Sequence, residues 1–499
     1  MSQEGGCTLL LSAGDVFTGT PASDHFDARP DFLGYDAMAV GNHEFDKGLP
    51  VLRQREAEVA SSFPMLSGNI VDQDGDLLFP GPGGQGQITF NIAGARITVW
   101  GLTTIDTKPG LESGVVVQPP VDIAKKQAKD LKQNTHVLIG LTHMGHYDDE
   151  KPAAEDLQKR KQGDEMMALE NPGTFDLIVG GHSQQPLFEA DQVADTFIVQ
   201  AFEWGKYLGR IDITLPAKPK LGAKNIKSLD YRLIPINIRN DQGQCTDPSQ
   251  INSPVVNCID EDPQVLDILE SFQNDEVIRP LYQVIGEARG SFSGERSVIR
   301  KQQAPLGQLV NESILDYVAA RWPEDLRSYD EDRCSSRHFS VYNGGGIRAT
   351  INKGDILGLD TQLVFPFGSV LKTSPMNGEA LYSYFQNVAK IPYQPNSTSG
   401  DYPQLRGIQF VMSGKDLLDI RCRNSDGAWI PLNKEDDYTL TLNAYLFRGG
   451  DGGYPALNEN PSVVTHPEAM ADVFRRYIEQ QLSLDPFDFA APDAFLEGP

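Results

Sequence analysis

Four apolar runs in the first half of the chain end in side chains that bind metal ions. "LLLSAGD" closes on Asp15, "AMAVGNHEFD" on Asn42 through Asp46, "VLIGLTHMGH" on His143 and His146, and "LIVGGHSQ" on His182 and Gln184. A layered α/β fold brings the carboxyl ends of its parallel strands to one edge, where ligand crevices form, so these clusters are expected to converge. Asp15, Asn42, His143 and His182 then offer one carboxylate, one amide oxygen and two imidazoles. That donor set suits Zn, Mn, Co or Fe, whereas an all-oxygen shell suits Mg or Ca. Glycines before Asp15, Asn42 and His182 let backbone and metal approach without an intervening Cβ. A lone histidine after a strand is more often a hydrogen-bonded structural residue than a ligand. Four strand ends closing on metal-competent groups outweigh that reading.

His43 and Asp46 are three apart just past a strand, so a turn lets the carboxylate orient the imidazole and hold it protonated beside the metal. Glu44 and Asp24 read as capping or supporting residues, His146 as a support for the ligands and His25 as a loop residue. The second half carries a different inventory. "YNGGGIR" (342–348) leaves the strand "HFSV" with three glycines, and its Asn343, backbone amides and forked Arg348 can meet phosphate oxygens. A glycine-rich turn with a surface arginine is the plain alternative. "NAYLFRGGDGGY" (443–454) also leaves a strand; Tyr445 can stack on a planar base and Asp451 can accept from ribose hydroxyls, or both are ordinary core and turn residues. Tyr402 in "DYPQLRGIQF" offers a second stacking face, and "FPFG" (365–368) reads as core packing.

At 499 residues the chain exceeds one hydrophobic core, and two domains are expected. With 39% hydrophobic and 22% charged residues it has an ordinary globular composition. No apolar stretch reaches the about 18 residues of a membrane span. A formal charge of −26 opposes nonspecific binding to a nucleic-acid polymer. A phosphate-handling protein of this charge must concentrate metals and arginines locally. The opening "MSQEGGCTLLLSAGD" has no basic stretch followed by an apolar core, so no secretory signal is visible in it. Among five cysteines, Cys245 and Cys258 flank a polar loop and are open to two readings, a small disulfide or buried free thiols. Cys7, Cys334 and Cys422 show no pattern.

The first 240 residues alternate short apolar runs with amphipathic stretches such as "PVDIAKKQAKDLKQ", the mark of a layered α/β domain that extends to 262. A polar segment from about 239 to 262 marks a boundary. Residues 263–285 read as one amphipathic linker helix started by Pro263. A second mixed α/β domain follows over 286–499.

Together "GDVFTGTP", "GYDAMAVGNHEFD", "THMGHYD", "GGHSQ", "EWGKYLGR", "NGGGIR" and "GGDGGY" resemble, in order and over nearly the whole chain, the bacterial 5'-nucleotidase/UDP-sugar hydrolase family. The resemblance implies a calcineurin-like metallophosphoesterase sandwich, a linking helix about which the domains rotate, and a carboxy-terminal nucleotide-binding domain. It implies two divalent metals per active site, with Zn or Mn expected and Co compatible. Asp15 would bridge them; Asn42, His143 and His182 would complete one and Gln184 would belong to the other. His43 and Asp46 match the family's catalytic pair, Arg348 its phosphate-binding arginine, Tyr445 a base-stacking aromatic and Asp451 the ribose contact. A periplasmic or secreted location is also implied.

Three features depart from that pattern. Family members normally begin with a strand ending in an Asp-x-His pair on the first metal, and this chain starts downstream of it, so an N-terminally truncated catalytic domain is expected with only Asp15 and Gln184 left for that metal. Gln308 in "APLGQL" stands where the family often has arginine. Leu405 stands where close relatives have phenylalanine, so Tyr402 would supply that face. The expected reaction is metal-dependent hydrolysis of nucleoside 5'-monophosphates, extending to UDP-sugars. A competing expectation is a nucleotide-binding protein with weak or no hydrolysis because the first metal site is incomplete. A third is a metallophosphoesterase acting on cyclic nucleotides or sulfur-linked substrates.

Overall fold

Strands covered on both faces need apolar residues on both faces, and runs such as "VLIGLTH" and "LIVG" supply them. A computed structural model describes residues 8–18, 21–26, 34–107, 114–146, 161–240, 244–250, 252–321, 332–393, 400–450, 454–457, 461–490 and 495–497. The chain divides into two compact units, Met1–Phe272 and Gln273–Pro499.

In the first unit two sheets pack face to face. One comprises β1 (Leu11–Ser12), β2 (Ala37–Ala39), β3 (Met65–Val71) and β4 (Leu77–Phe79), of which the first three are parallel. The other begins at an edge with β5 (Gln87–Ile92) and β6 (Ala95–Thr103); short β7 (Val116–Val117) returns to the first sheet. It continues through β8 (Val137–His143), β9 (Leu177–Gly180), β11 (Thr196–Gln200) and β10 (Asp191–Val193), and its strands β6, β8, β9 and β11 are parallel. Ala39, Leu66, Val99, Ile139, Leu177 and Val199 fill the space between the sheets. The helix Pro120–Gln133 has proline in its first turn and turns Val121, Ala124, Ala128 and Leu131 inward at spacings of three and four. With the helix Asp164–Glu170 it covers the second sheet. The helix Leu49–Val59 covers the first through Leu52 and Val59. An antiparallel pair, β12 (Tyr207–Thr214) and β13 (Ser228–Pro235), completes the unit.

The second unit is built on a five-stranded sheet whose central pair is β15 (His338–Asn343) and β22 (Asp437–Asn443), parallel neighbours. Outside them lie β17 (Val370–Asn377), β18 (Pro403–Arg406) and β23 (Val464–Ala469). A three-stranded sheet joins β14 (Val284–Ala288), β16 (Gly354–Leu357) and β24 (Ser483–Leu484), and a four-stranded one β19 (Ile408–Ser413), β20 (Asp416–Arg423), β21 (Trp429–Pro431) and β25 (Phe495–Glu497). The period of two along β15 sends Phe339 and Val341 into one core with Phe385 and Phe410, and Tyr342 into another with Leu309 and Phe474. Because β15 and β22 run the same way side by side, Asn343 and Asn443 end together and open the two candidate substrate loops.

Two expectations are corrected or completed. The single helix over 263–285 stops at Gln273, and a 3-10 turn (Arg279–Tyr282) and β14 occupy the rest. Asp275 competes for the backbone, its carboxylate accepting from Val277 N at 2.8 Å. Arg279 also precedes a proline, which disfavours helix at that residue. The cysteines form two disulfides, Cys245–Cys258 and Cys334–Cys422. The second joins β20 to a residue 88 positions earlier, a pairing no local spacing reveals.

These contacts lead to two expectations for stability. Replacing both Cys334 and Cys422, each buried, by serine should lower unfolding free energy by about 2–5 kcal/mol in urea, as for other long closed loops. His466 on β23 is 1% exposed and its Nε2 lies 2.8 Å from Thr373 Oγ1. Burial, aided by the nearby Arg321 charge, pushes its pKa from 6.5 down to about 4. The unfolded chain therefore takes up more protons between those values, so this contribution is complete above the upper value and is lost as pH falls through the lower one. Across that window the wild type should lose up to about 3 kcal/mol more stability than His466→Gln, read as the difference in urea midpoints.

Candidate metal centre and substrate loops

Strand ends from both sheets of the first unit supply the site. Asp15 lies three residues past β1, Asn42 three past β2 and His182 two past β9, while His143 is the last residue of β8. Asp15, His182 and Gln184 adopt φ of 64°, 74° and 53°. Left-handed backbone is uncommon for such residues and costs about 1–3 kcal/mol each, and it clusters where a side chain has to be aimed.

Ligand atoms of Asp15, His143 and His182 lie within 4.8 Å of one another. His143 Nδ1 donates to Ala13 O at 2.7 Å, which fixes the tautomer and turns the Nε2 lone pair toward Asp15 Oδ2, 2.8 Å away. Two electron-rich atoms at that distance repel unless a proton or a cation lies between them. His143 Nε2 and Asn42 Oδ1 are both buried without a hydrogen bond among the described residues. Two unpaired acceptors, an amide oxygen and an imidazole nitrogen, set beside a carboxylate and a second imidazole, fit a divalent ion of the Zn or Mn type. Burial opposes ionisation of Asp15, but the proximity of His143 and His43 outweighs it and holds the carboxyl at about 2, so the group is a carboxylate across the physiological range.

Glu44 fastens the two loops of the first sheet. It is fully buried, and its Oε2 accepts from Gly41 N at 2.6 Å and Asp15 N at 3.0 Å while Oε1 accepts from Val16 N at 2.7 Å. Burial and the Asp15 charge push its pKa up to about 7. The supporting role read from its position is the one it has. Gly41 is required for the same packing, since a Cβ there would stand 2.3 Å from Asp15 Oδ1. His43 N donates to that oxygen at 2.9 Å, which keeps Asn42 beside Asp15.

His43 begins a single 3-10 turn over His43–Phe45, and Asp46 caps it. Its Nδ1 lies 2.7 Å from Asp46 Oδ2, which also accepts from Thr18 Oγ1 at 2.9 Å. That hydrogen bond raises the pKa of His43 to about 9, against the opposing effect of burial. The expected acid is thus a partly exposed imidazolium with a fixed orientation. His146 is buried, with Nε2 3.0 Å from Asp191 Oδ2, and its amide donates to Ser183 Oγ at 3.0 Å, so it ties the loop after β8 to the loop after β9. His25 is exposed. Asp106, which the sequence reading passed over, places Oδ2 3.3 Å from His182 Nε2. It follows β6, another parallel strand, so the strand-end rule applied once more to "VWGLTTID" would have found it.

In the second unit the structure separates the substrate candidates. Arg348 donates from Nη1 to Gly345 O at 3.3 Å, and its guanidinium lies 5.5 Å from the ring centroid of Phe367. Phe367 is 59% exposed, which corrects the core reading of "FPFG". Phe365 does pack inside, against Tyr342 and Phe474, but Phe367 falls in the turn beyond the helix Gly358–Val364 and faces outward. Asn343 is buried, accepting from Asn443 Nδ2 at 3.0 Å and donating to Gly400 O at 3.2 Å. Tyr402 is 4% exposed while Tyr445 is 47% exposed. Gln308 is buried and donates to Leu405 O at 2.6 Å, a brace between the helix Pro305–Ala319 and β18. Cys7, Asp451 and the side chain of Asp24 lie outside the described residues.

Residues 2–186 match the calcineurin-like phosphoesterase family and residues 284–459 the 5'-nucleotidase C-terminal domain. The chain is 35% identical to Protein UshA of Salmonella pullorum, over 98% of its own length and 86% of that protein's. It is 33% identical to the 5'-nucleotidase of Vibrio vulnificus, over 98% and 85% respectively. The crystal structure of a 5'-nucleotidase precursor from Thermus thermophilus shares the fold, with a TM-score of 0.66 at 24% identity, covering 98% of this chain and 90% of that one.

Glu44→Gln puts an amide NH2 where backbone donors converge. It should weaken Mn²⁺ binding about 10- to 100-fold in calorimetric titration, as loss of a ligand's supporting contacts does elsewhere, with the far-ultraviolet circular dichroism unchanged.

Proposed function

The chain belongs to the 5'-nucleotidase family, with a calcineurin-like phosphoesterase domain ahead of a 5'-nucleotidase C-terminal domain, and on that premise we propose that it hydrolyses nucleoside 5'-monophosphates to nucleoside and phosphate in a metal-dependent reaction. The observation that carries the reading is the cluster of Asp15, buried His143 and His182 with the unpaired Asn42 Oδ1, set one turn from the His43–Asp46 pair. Asp15, Asn42, His143 and His182 would hold one divalent ion, and Asp15 with Gln184 would contribute to a second. Such ions supply Lewis-acid charge against the phosphoryl oxygens and make water acidic enough to attack near neutral pH.

This chain's own residues do the rest. As water adds to phosphorus and the bond to the 5'-oxygen breaks, the leaving oxygen needs a proton, and His43 is built to give it. Asp46 holds Nδ1, which leaves Nε2 to carry the donated proton, and the same carboxylate prevents the ring from turning. Arg348 offers a fork of donors to phosphate oxygens, and Asn343 holds its loop through Asn443 and Gly400. With Tyr402 buried, base stacking falls to Tyr445, and Asp451 would take the ribose hydroxyls. A nucleoside diphosphate sugar presents the same phosphate, ribose and base, and its pyrophosphate is the proposed second substrate bond. Residues 1–262 would act as the catalytic domain, 263–285 as the linker and 286–499 as the nucleotide-binding domain. Two disulfides suit an oxidising compartment such as the periplasm.

Phosphate release from 5'-AMP should vanish with a chelator and return with Mn²⁺, Zn²⁺ or Co²⁺; turnover that persists in the chelator would end the reading. His43→Ala should lower kcat about 10²- to 10⁴-fold while metal binding, followed by calorimetry, stays within about twofold, as expected for loss of a proton donor.

A further inference from the structure

The ring of Tyr445 is held from one side. Tyr445 stands in the short helical turn Ala444–Phe447 after β22. A Cβ built on Gly450 would lie 2.5 Å from ring atom Cε1 and 2.6 Å from both Cδ1 and Cζ. Near-equal distances to three consecutive ring atoms place that point over the ring face; beyond the edge, the outer two would be much farther than the middle one. The contact is closed by Gly450 N donating to Tyr445 O at 3.0 Å. Gly450 is not among the residues with positive φ, so alanine would be acceptable to its backbone. What the position demands is the absence of a side chain. At the root of the turn, buried Asn443 accepts from Leu446 N at 2.8 Å and donates to Asn343 Oδ1 at 3.0 Å, so the segment carrying the ring is anchored as well.

We propose that Gly450 is a positioning residue for base recognition: its bare backbone backs one face of the Tyr445 ring and sets the orientation in which that ring meets a planar base. The inference rests on the assignment of Tyr445 as the base-stacking residue. A methyl group at position 450 displaces the ring, because the ring can swing about its side-chain bonds and the hydrogen-bonded turn cannot. Recognition of the base suffers while recognition of the phosphate does not. The effect is therefore selective between two substrates with the same 5'-phosphate ester, AMP, which has a base, and ribose 5-phosphate, which has none.

Steady-state kinetics of the metal-loaded full chain on both substrates test this. Gly450→Ala should raise KM for AMP about tenfold, within the range that loss of a base–aromatic stack produces, with kcat near wild type and ribose 5-phosphate kinetics unaffected. In a Tyr445→Ala background Gly450→Ala should add nothing, since the obstructed ring is gone. Equal damage to both substrates, wild-type KM for AMP, or an added defect in the Tyr445→Ala background overturns the proposal. A Tyr445→Ala variant whose preference for AMP over ribose 5-phosphate matches wild type overturns instead the assignment of Tyr445, and the role of Gly450 with it. If Gly450→Ala alone does not yield folded protein, recovery on adding Tyr445→Ala supports the contact, and failure to recover overturns it.

Discussion

The first unit is organised around crowded electron pairs in a volume from which water is largely removed. Asp15 Oδ2 and His143 Nε2 face each other at 2.8 Å, and Asn42 Oδ1 is buried without a partner among the described residues. In a low-dielectric interior such a grouping repels itself and loses hydration as well, so it persists where a proton or a cation offsets those costs and the surrounding scaffold resists relaxation. The scaffold does resist. Two sheets clamp a shared apolar layer, three ligand-loop residues are kept in left-handed backbone, and Glu44 commits both carboxylate oxygens to the amides of Gly41, Asp15 and Val16.

Glu44 and Asp46 show how neighbouring carboxylates in one turn take different tasks through environment alone. Glu44 is buried and bonds only to backbone amides, so its charge is turned inward and its pKa rises to about 7. Asp46 lies at the surface and bonds to His43 and Thr18, so its charge is turned to holding an imidazolium. Two residues of spacing suffice because a 3-10 turn, at about three residues per turn, sends side chains two apart to different sides.

The second unit applies a different constraint. Its two loops grow from adjacent parallel strands, and the Asn343–Asn443 hydrogen bond joins them at their bases. A small number of buried amides thus makes the arginine loop and the aromatic turn one piece, whereas Gln308 is used internally as a brace. Arg348 in the same loop lies beside the exposed Phe367 ring, its guanidinium 5.5 Å from the ring centroid.

Much of this was legible in the residues. Alternating apolar runs marked the strands, and metal-competent side chains at their ends marked Asp15, Asn42, His143 and His182, because strand direction is local and chemistry follows residue type. The helix beyond Gln273 was misread because the Asp275 side chain bonds to the backbone and Pro280 restricts the residue before it, effects that apolar spacing does not register. The Cys334–Cys422 bridge, the His182–Asp106 approach and the outward face of Phe367 were invisible for another reason: each depends on which distant segments become neighbours. Sequence by itself determined which strands form and which atoms are able to bind a cation. Only the tertiary structure decided that ends from two different sheets meet, that Tyr402 is buried while Tyr445 is exposed, and that Gly450 lies over an aromatic face, since such contacts arise from packing between segments and no period along one segment encodes them.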